Sequence, residues 1–201
     1  MTLLRCLARD RRASSAAEFA LVLPLLLILL FGIIDMGRFF WQLNQSEKAT
    51  QMGARMAIVT TPVSPDLVGE SYVDGTTKNG DVIPASALGT VLCNNLGCTC
   101  EQSPCPGLGA GVDDDAFNVI VTRMAQMNPL ITADDVEIRY SGSGFGYAGD
   151  ADETMDVQPL VTVTLRDMQF NFLSLLGLVD VTMPAASATL TAEDSSGTIS
   201  N

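Results

Sequence analysis

Polar side chains all but vanish from one early stretch of the chain. Residues 19–34 read FALVLPLLLILLFGII without a charge, and counted from Ala13 the apolar stretch is 22 residues with Glu18 alone inside it. As a helix it spans about 33 Å, enough for a hydrocarbon core of about 30 Å. The leucine-rich run leaves no polar face, which predicts a membrane span rather than a core helix. No A-x-A pattern follows it, so a cleaved secretory signal is not expected. The helix should continue past the membrane, because no proline occurs from Asp35 to Val59 and Pro62 is the first firm stop. Residues 14–59 would then extend about 69 Å. Pro24 removes one backbone hydrogen bond and is expected to kink the helix within the bilayer. Beyond the span, Trp41, Gln45, Lys48, Met52, Met56 and Val59 fall near one face. Ser46, Ala49, Gly53 and Ala57 form an adjacent stripe of small side chains, where the rest of the chain is expected to pack. Phe39, Phe40 and Trp41 with Arg38 read as an interfacial anchor.

Periodicity fades over residues 62–111, which are dense in Gly, Pro, Ser, Thr and Asn and read as a loop region. It returns with a helix expected over 113–127, opened by Asp113, Asp114 and Asp115 at its positive end, with Phe117, Ile120, Val121 and Met124 on one face. Residues 136–140 and 161–166 alternate as half-buried strands, and 186–193 alternate again. Residues 170–179 read as an apolar connection of one or two helical turns. The pattern predicts an α+β fold, a long transmembrane helix followed by a domain with an antiparallel sheet. Its segments are a basic leader (1–13), the long helix (14–61, in the membrane to about residue 34), the cysteine-containing loops (62–111) and an α+β domain (112–201).

Charge orients this arrangement. Residues 1–65 carry a balance of +3 and residues 66–201 one of −15, within a 201-residue chain of net charge −12. Arg5, Arg9, Arg11 and Arg12 precede the apolar run, which predicts a cytoplasmic N-terminus and an extracytoplasmic acidic domain at the cytoplasmic membrane. Nucleic acid is not an expected partner, for want of a basic footprint. The chain has no histidine, which excludes Ser-His-Asp and Cys-His catalysis and imidazole metal ligation.

Cysteine chemistry narrows further. Cys6 lies in the basic leader, whereas Cys93, Cys98, Cys100 and Cys105 fall in the outer domain, where two disulfides are the economical reading. Adjacent pairing and nested pairing both remain open. A four-cysteine zinc site is the rival, but the paired C-x2-C spacing of zinc ribbons is missing. Asp150, Asp152 and Asp156 alternate loosely like a calcium loop. Met155 stands where such a loop needs glycine, so a solvated turn is expected instead. Asp113 to Asp115 are more simply helix-capping residues. No nucleophile–base constellation and no phosphate-binding glycine loop occurs, so neither catalysis, a metal nor a cofactor is expected.

Glu18 asks for a partner, since a carboxylate at the edge of an apolar run is costly alone. Arg11 and Arg12 followed by small residues offer a cleavable bond between Ala13 and Ser14. Cutting there makes Glu18 the fifth residue of a mature chain, and a neighbour's new amino terminus could then neutralise it. At this point the sequence resembles the type IV pilin superfamily, and within it the TadE/TadG-like pseudopilins of the tight-adherence (Flp) pilus system. The resemblance rests on RRASSAAEFALVLP at 11–24, FGIIDMGR at 31–38 and QMGARMA at 51–57, and more weakly on VTVTL at 161–165 and ASATL at 186–190. Ala13 stands where the family usually has glycine. The resemblance implies a membrane-anchored minor pseudopilin acting in pilus or secretion-filament assembly. Prepilin peptidase, other pilins and Tad assembly components would be its partners, with Ala13 and Ser14 as processing site and Glu18 pairing subunits. The alternatives are an unprocessed single-pass periplasmic scaffold or binding module and, more remotely, an anchored hydrolase.

Overall fold

The computed structural model describes residues 11–74, 76–109, 111–149, 155–173 and 180–192, and of residues 11–15 the backbone. The described residues fall into two compact units. One takes the chain up to Trp41 with those of Gln169–Val181, and the other takes Gln42–Met168 with those from Thr182 onward.

Helix α1 (Arg11–Val59) runs unbroken for 49 residues, with Pro24 inside it. Its end is closed by Thr60, whose amide and hydroxyl both donate to the Met56 carbonyl, at 3.1 and 2.8 Å. This satisfies one of the acceptors that a helix C-terminus leaves over. A short α2 (Pro65–Val68) follows, then strands β1 (Thr90–Asn94) and β2 (Gly97–Gln102). Next come α3 (Asp114–Ala125), β3 (Val136–Ser141) and β4 (Leu160–Leu165). Strands β5 (Gln169–Asn171), β6 (Asp180–Thr182) and β7 (Ala186–Thr191) complete the order. The fold is α+β: a long N-terminal apolar helix and an antiparallel sheet domain.

In the larger unit five strands pair in the order β2-β1-β3-β4-β7, each neighbouring pair antiparallel. The register sets Cys98, Cys93, Ile138, Val163 and Ala188 in one row across the sheet. Burial alternates along β1, β3 and β4, as it must where one face of a pleated sheet meets the core and the other meets solvent. The α3 residues Phe117, Ile120, Val121 and Met124 are buried, as their spacing predicts. Asp113 caps this helix, its carboxylate accepting from the Ala116 amide at 3.0 Å. The small-residue stripe is buried too, with Ser46, Ala49, Gly53 and Ala57 all inside. A Cβ at Gly53 would sit 2.6 Å from the Met124 sulfur and 3.2 Å from Val163 Cγ1. Helix, helix and sheet therefore meet at a point where only a missing side chain leaves room.

Three expectations need correction. The region read as loops, 62–111, supplies β1 and β2, and β1 lies inside the main sheet between β2 and β3. Its alternating segment is too short to stand out among the surrounding Gly and Asn residues. The stretch read as helical turns, 170–179, begins instead with the end of strand β5, which pairs with β6 as a separate two-stranded ribbon; residues 174–179 lie outside the described residues. The last strand stops at Thr191, and Glu193 also lies outside them.

Candidate functional site

Among the described residues, one helix, α1, is long and apolar enough to cross a membrane. It spreads that apolar surface openly, from Phe19 and Leu21 through Leu25, Ile28 and Leu29 to Ile33, all well exposed. Burying such side chains stabilises by roughly 1.5–3 kcal/mol each, so a run of this length left in water would be untenable. Single-pass membrane anchoring is what this surface suggests. The Glu18 side chain is exposed at the head of the run. Leu21 and Val22 follow at the i+3 and i+4 positions, so the carboxylate shares a face with apolar neighbours. The bond between Ala13 and Ser14 lies on the helical backbone one turn earlier. Pro24 leaves the Ala20 carbonyl without its usual intrahelical donor.

At the other end of the run, Asp35 is the first charged residue after Ile34, and it is 1% exposed. Arg38 Nη1 donates to Asp35 Oδ1 at 3.0 Å, and the Leu173 amide donates to the same oxygen at 3.0 Å. The guanidinium also lies 5.3 Å from the centre of the Phe170 ring. Phe170 in turn packs edge-on against Phe39 and Phe172, at 5.3 and 5.0 Å between ring centres. A carboxylate removed from water is thus held by a cation and a backbone donor together, the arrangement in which a buried charge is tolerable. The expected interfacial anchor therefore divides. Phe40 and Trp41 remain exposed, whereas Arg38 and Phe39 are engaged with the β5 segment. Asp35 itself was not singled out from the sequence. The available signal was an acid immediately after an apolar run with an arginine three residues on, a spacing that puts both on one helix face.

In the larger unit the four cysteines form two disulfides, Cys93–Cys98 and Cys100–Cys105. The first joins residues directly opposite across the β1–β2 hairpin. The pairing is thus the adjacent one of the alternatives left open by spacing. Elsewhere on the same sheet Glu101 accepts from Arg139 at 2.8 and 3.3 Å, and the guanidinium holds the Glu101 carboxyl below its usual range.

Residues 150–154 of the acidic alternation lie outside the described residues. Asp156, its last member, is buried and accepts from the Tyr72 amide at 3.2 Å and the Gly149 amide at 2.9 Å. It ties two loops together rather than facing solvent. Burial, with Glu70 and Asp156 nearby, pushes the Tyr72 phenol up to about 12. Among the described residues no three acidic or cysteine side chains converge as a metal site would require.

Comparison with known proteins finds one family. Residues 13–55 match the model of a family described as TadE-like protein. The matched stretch holds the exposed apolar run, its Glu18, the Asp35–Arg38 side of the knot with Leu173 and most of the small-residue stripe; Leu173 itself and the strands β4 and β7 lie outside it. No curated protein and no solved structure matches the chain.

Proposed function

The TadE-like segment implies a Tad pilus-associated protein, and on that premise we propose that this chain is a minor pseudopilin acting in assembly of a Tad/Flp pilus or a related secretion filament. One observation carries the reading. The family match coincides with a helix that exposes a continuous apolar surface, headed by a single carboxylate. Such a helix can leave the lipid only by packing against others like it, and a charge within it sets which pairings are allowed. The N-terminus faces the cytoplasm by the arginine bias of residues 5–12, and the disulfide-bonded domain lies outside the cytoplasmic membrane. Prepilin peptidase cuts between Ala13 and Ser14, and Glu18 then pairs with the new amino terminus of a neighbouring pilin. The work is done by binding surfaces, without catalysis.

The test is the N-terminal sequence of protein extracted from membranes that contain an active prepilin peptidase. Ser14 as the first residue supports the pseudopilin reading. An uncut leader favours the permanently anchored scaffold, and a cut beyond Ile34 would make the apolar run a secretory signal.

A further inference from the structure

The β5 segment descends α1 step by step. The Phe170 ring packs against Phe39, the Asn171 carbonyl accepts from Arg38 at 3.5 Å, and the Leu173 amide reaches Asp35 at 3.0 Å. From Phe39 to Asp35 the helix rises about 6 Å, so the chain arrives at the level where the uncharged run ends. Leu173 is 53% exposed there and Val181, on the returning strand, 40%. The ribbon is a two-stranded sheet of its own, and two strands alone are marginal in water. Beside the ribbon, α1 exposes Phe40 and Trp41, and Arg38 is 43% exposed, the residue types found at the headgroup level.

We infer that the β5–β6 ribbon is a second membrane contact, seated in the headgroup region of a phospholipid bilayer beside α1, with Leu173 and Val181 turned to lipid. This rests on the reading of α1 as a membrane anchor. The occupant is lipid rather than another protein because the patch is continuous with the helix surface that must already lie in the bilayer. The buried Asp35 then has a role: it pins the ribbon to the helix where the membrane ends. Side chains seated this way lie shallow, at the boundary of headgroups and acyl chains.

The experiment uses the full chain in phosphatidylcholine–phosphatidylglycerol vesicles, in a Trp41→Phe background that removes the sole native tryptophan. Single tryptophans are placed by Leu173→Trp, Val181→Trp or Ile28→Trp, and each is exposed to lipids brominated near the headgroup or deep in the chain. Ile28→Trp should be quenched more by the deep bromines. Leu173→Trp and Val181→Trp should emit to the blue and be quenched more by the shallow ones, and shallow quenching at either position supports the contact. An unquenched ribbon at both positions, with Ile28→Trp quenched, overturns it. Blue-shifted but unquenched emission at the ribbon also overturns it, in favour of cover by a second copy. If Ile28→Trp is silent too, the anchor reading itself fails and takes this inference with it.

Discussion

Gly53 and Met124 are matched so closely that a single Cβ at position 53 would stand 2.6 Å from the methionine sulfur. Met124 is fully buried, and Val163 stands on the same spot from the sheet side. The contact is what brings α1, α3 and β4 into one core. Alanine is the better helix former by about 1 kcal/mol, but overpacking a dense core costs about 1–3 kcal/mol. Gly53→Ala should therefore be neutral to destabilising by about 2 kcal/mol. Gly53→Val, with two further methyls and a stiff χ1, should be clearly worse. Urea unfolding of the detergent-solubilised full chain measures both. A Gly53→Val protein as stable as the parent would show that the helix does not approach this closely.

The small-residue stripe and the apolar face of α3 were legible from the sequence because helical periodicity over several turns leaves few alternatives. The strands β3 and β4 were legible for a similar reason: residues 136–140 and 161–166 alternate, and the inward positions Val136, Ile138, Tyr140, Val161, Val163 and Leu165 are all apolar or aromatic. The β1–β2 hairpin was not, since Val91 and Cys93 make only two inward positions and the turn residues around them look like loop. Its disulfide pairing needed the register that sets Cys93 against Cys98. The role of Asp35 was also out of reach, because its second donor comes from Leu173, far along the chain. Periodicity speaks of which face is buried, never of which distant amide arrives there.

Two tyrosines give the larger unit an alkaline limit. Tyr140 is fully buried and its oxygen accepts from the Val63 amide at 2.9 Å; burial drives its phenol well above the ordinary value. Tyr72 is pushed up to about 12, chiefly by burial. A phenol whose folded pKa is raised keeps its proton better folded than unfolded. Its contribution is whole below about pH 10 and is lost as pH rises through the folded value. Stability should be flat near neutrality and fall from pH 10 towards 12. Tyr140→Phe should remove much of that slope, and cost about 1–3 kcal/mol at pH 7 by orphaning the Val63 amide. Tyr72→Phe should cost little, because its hydroxyl has no hydrogen-bond partner among the described residues. Denaturant midpoints measured from pH 7 to 11.5 check the three expectations together.

Removing the Asp35 carboxylate should act locally. Asp35→Ala strips the acceptor from both Arg38 Nη1 and the Leu173 amide, and charge-assisted bonds of this kind contribute about 1.5–3 kcal/mol each. The Leu173 amide should exchange with solvent many-fold faster, while amides of β3 and β4 keep their protection. Asp35→Asn retains an oxygen for Leu173 and should restore part of that protection. Uniformly faster exchange across the sheet would mean that the knot supports the fold rather than the ribbon.

Glu18→Ala isolates what the N-terminal carboxylate is for. The substitution removes a charge from the head of the apolar run, so membrane insertion should persist or improve. Domain folding should persist too, because the core is built from Gln42 onward, more than a full membrane span along the chain. Association with other pilins should fail, since the charge pair that aligns neighbouring helices is strongest where the dielectric is low. Glu18→Gln separates charge from hydrogen bonding: it fails nearly as badly if attraction to an amino terminus is what matters, and is largely spared if an acceptor suffices. Crosslinking to pilins and counts of assembled pili, read beside membrane fractionation, distinguish these outcomes. Normal pili from Glu18→Ala cells would remove the pairing mechanism, and a loss of insertion would mean that Glu18 acts before any partner is met.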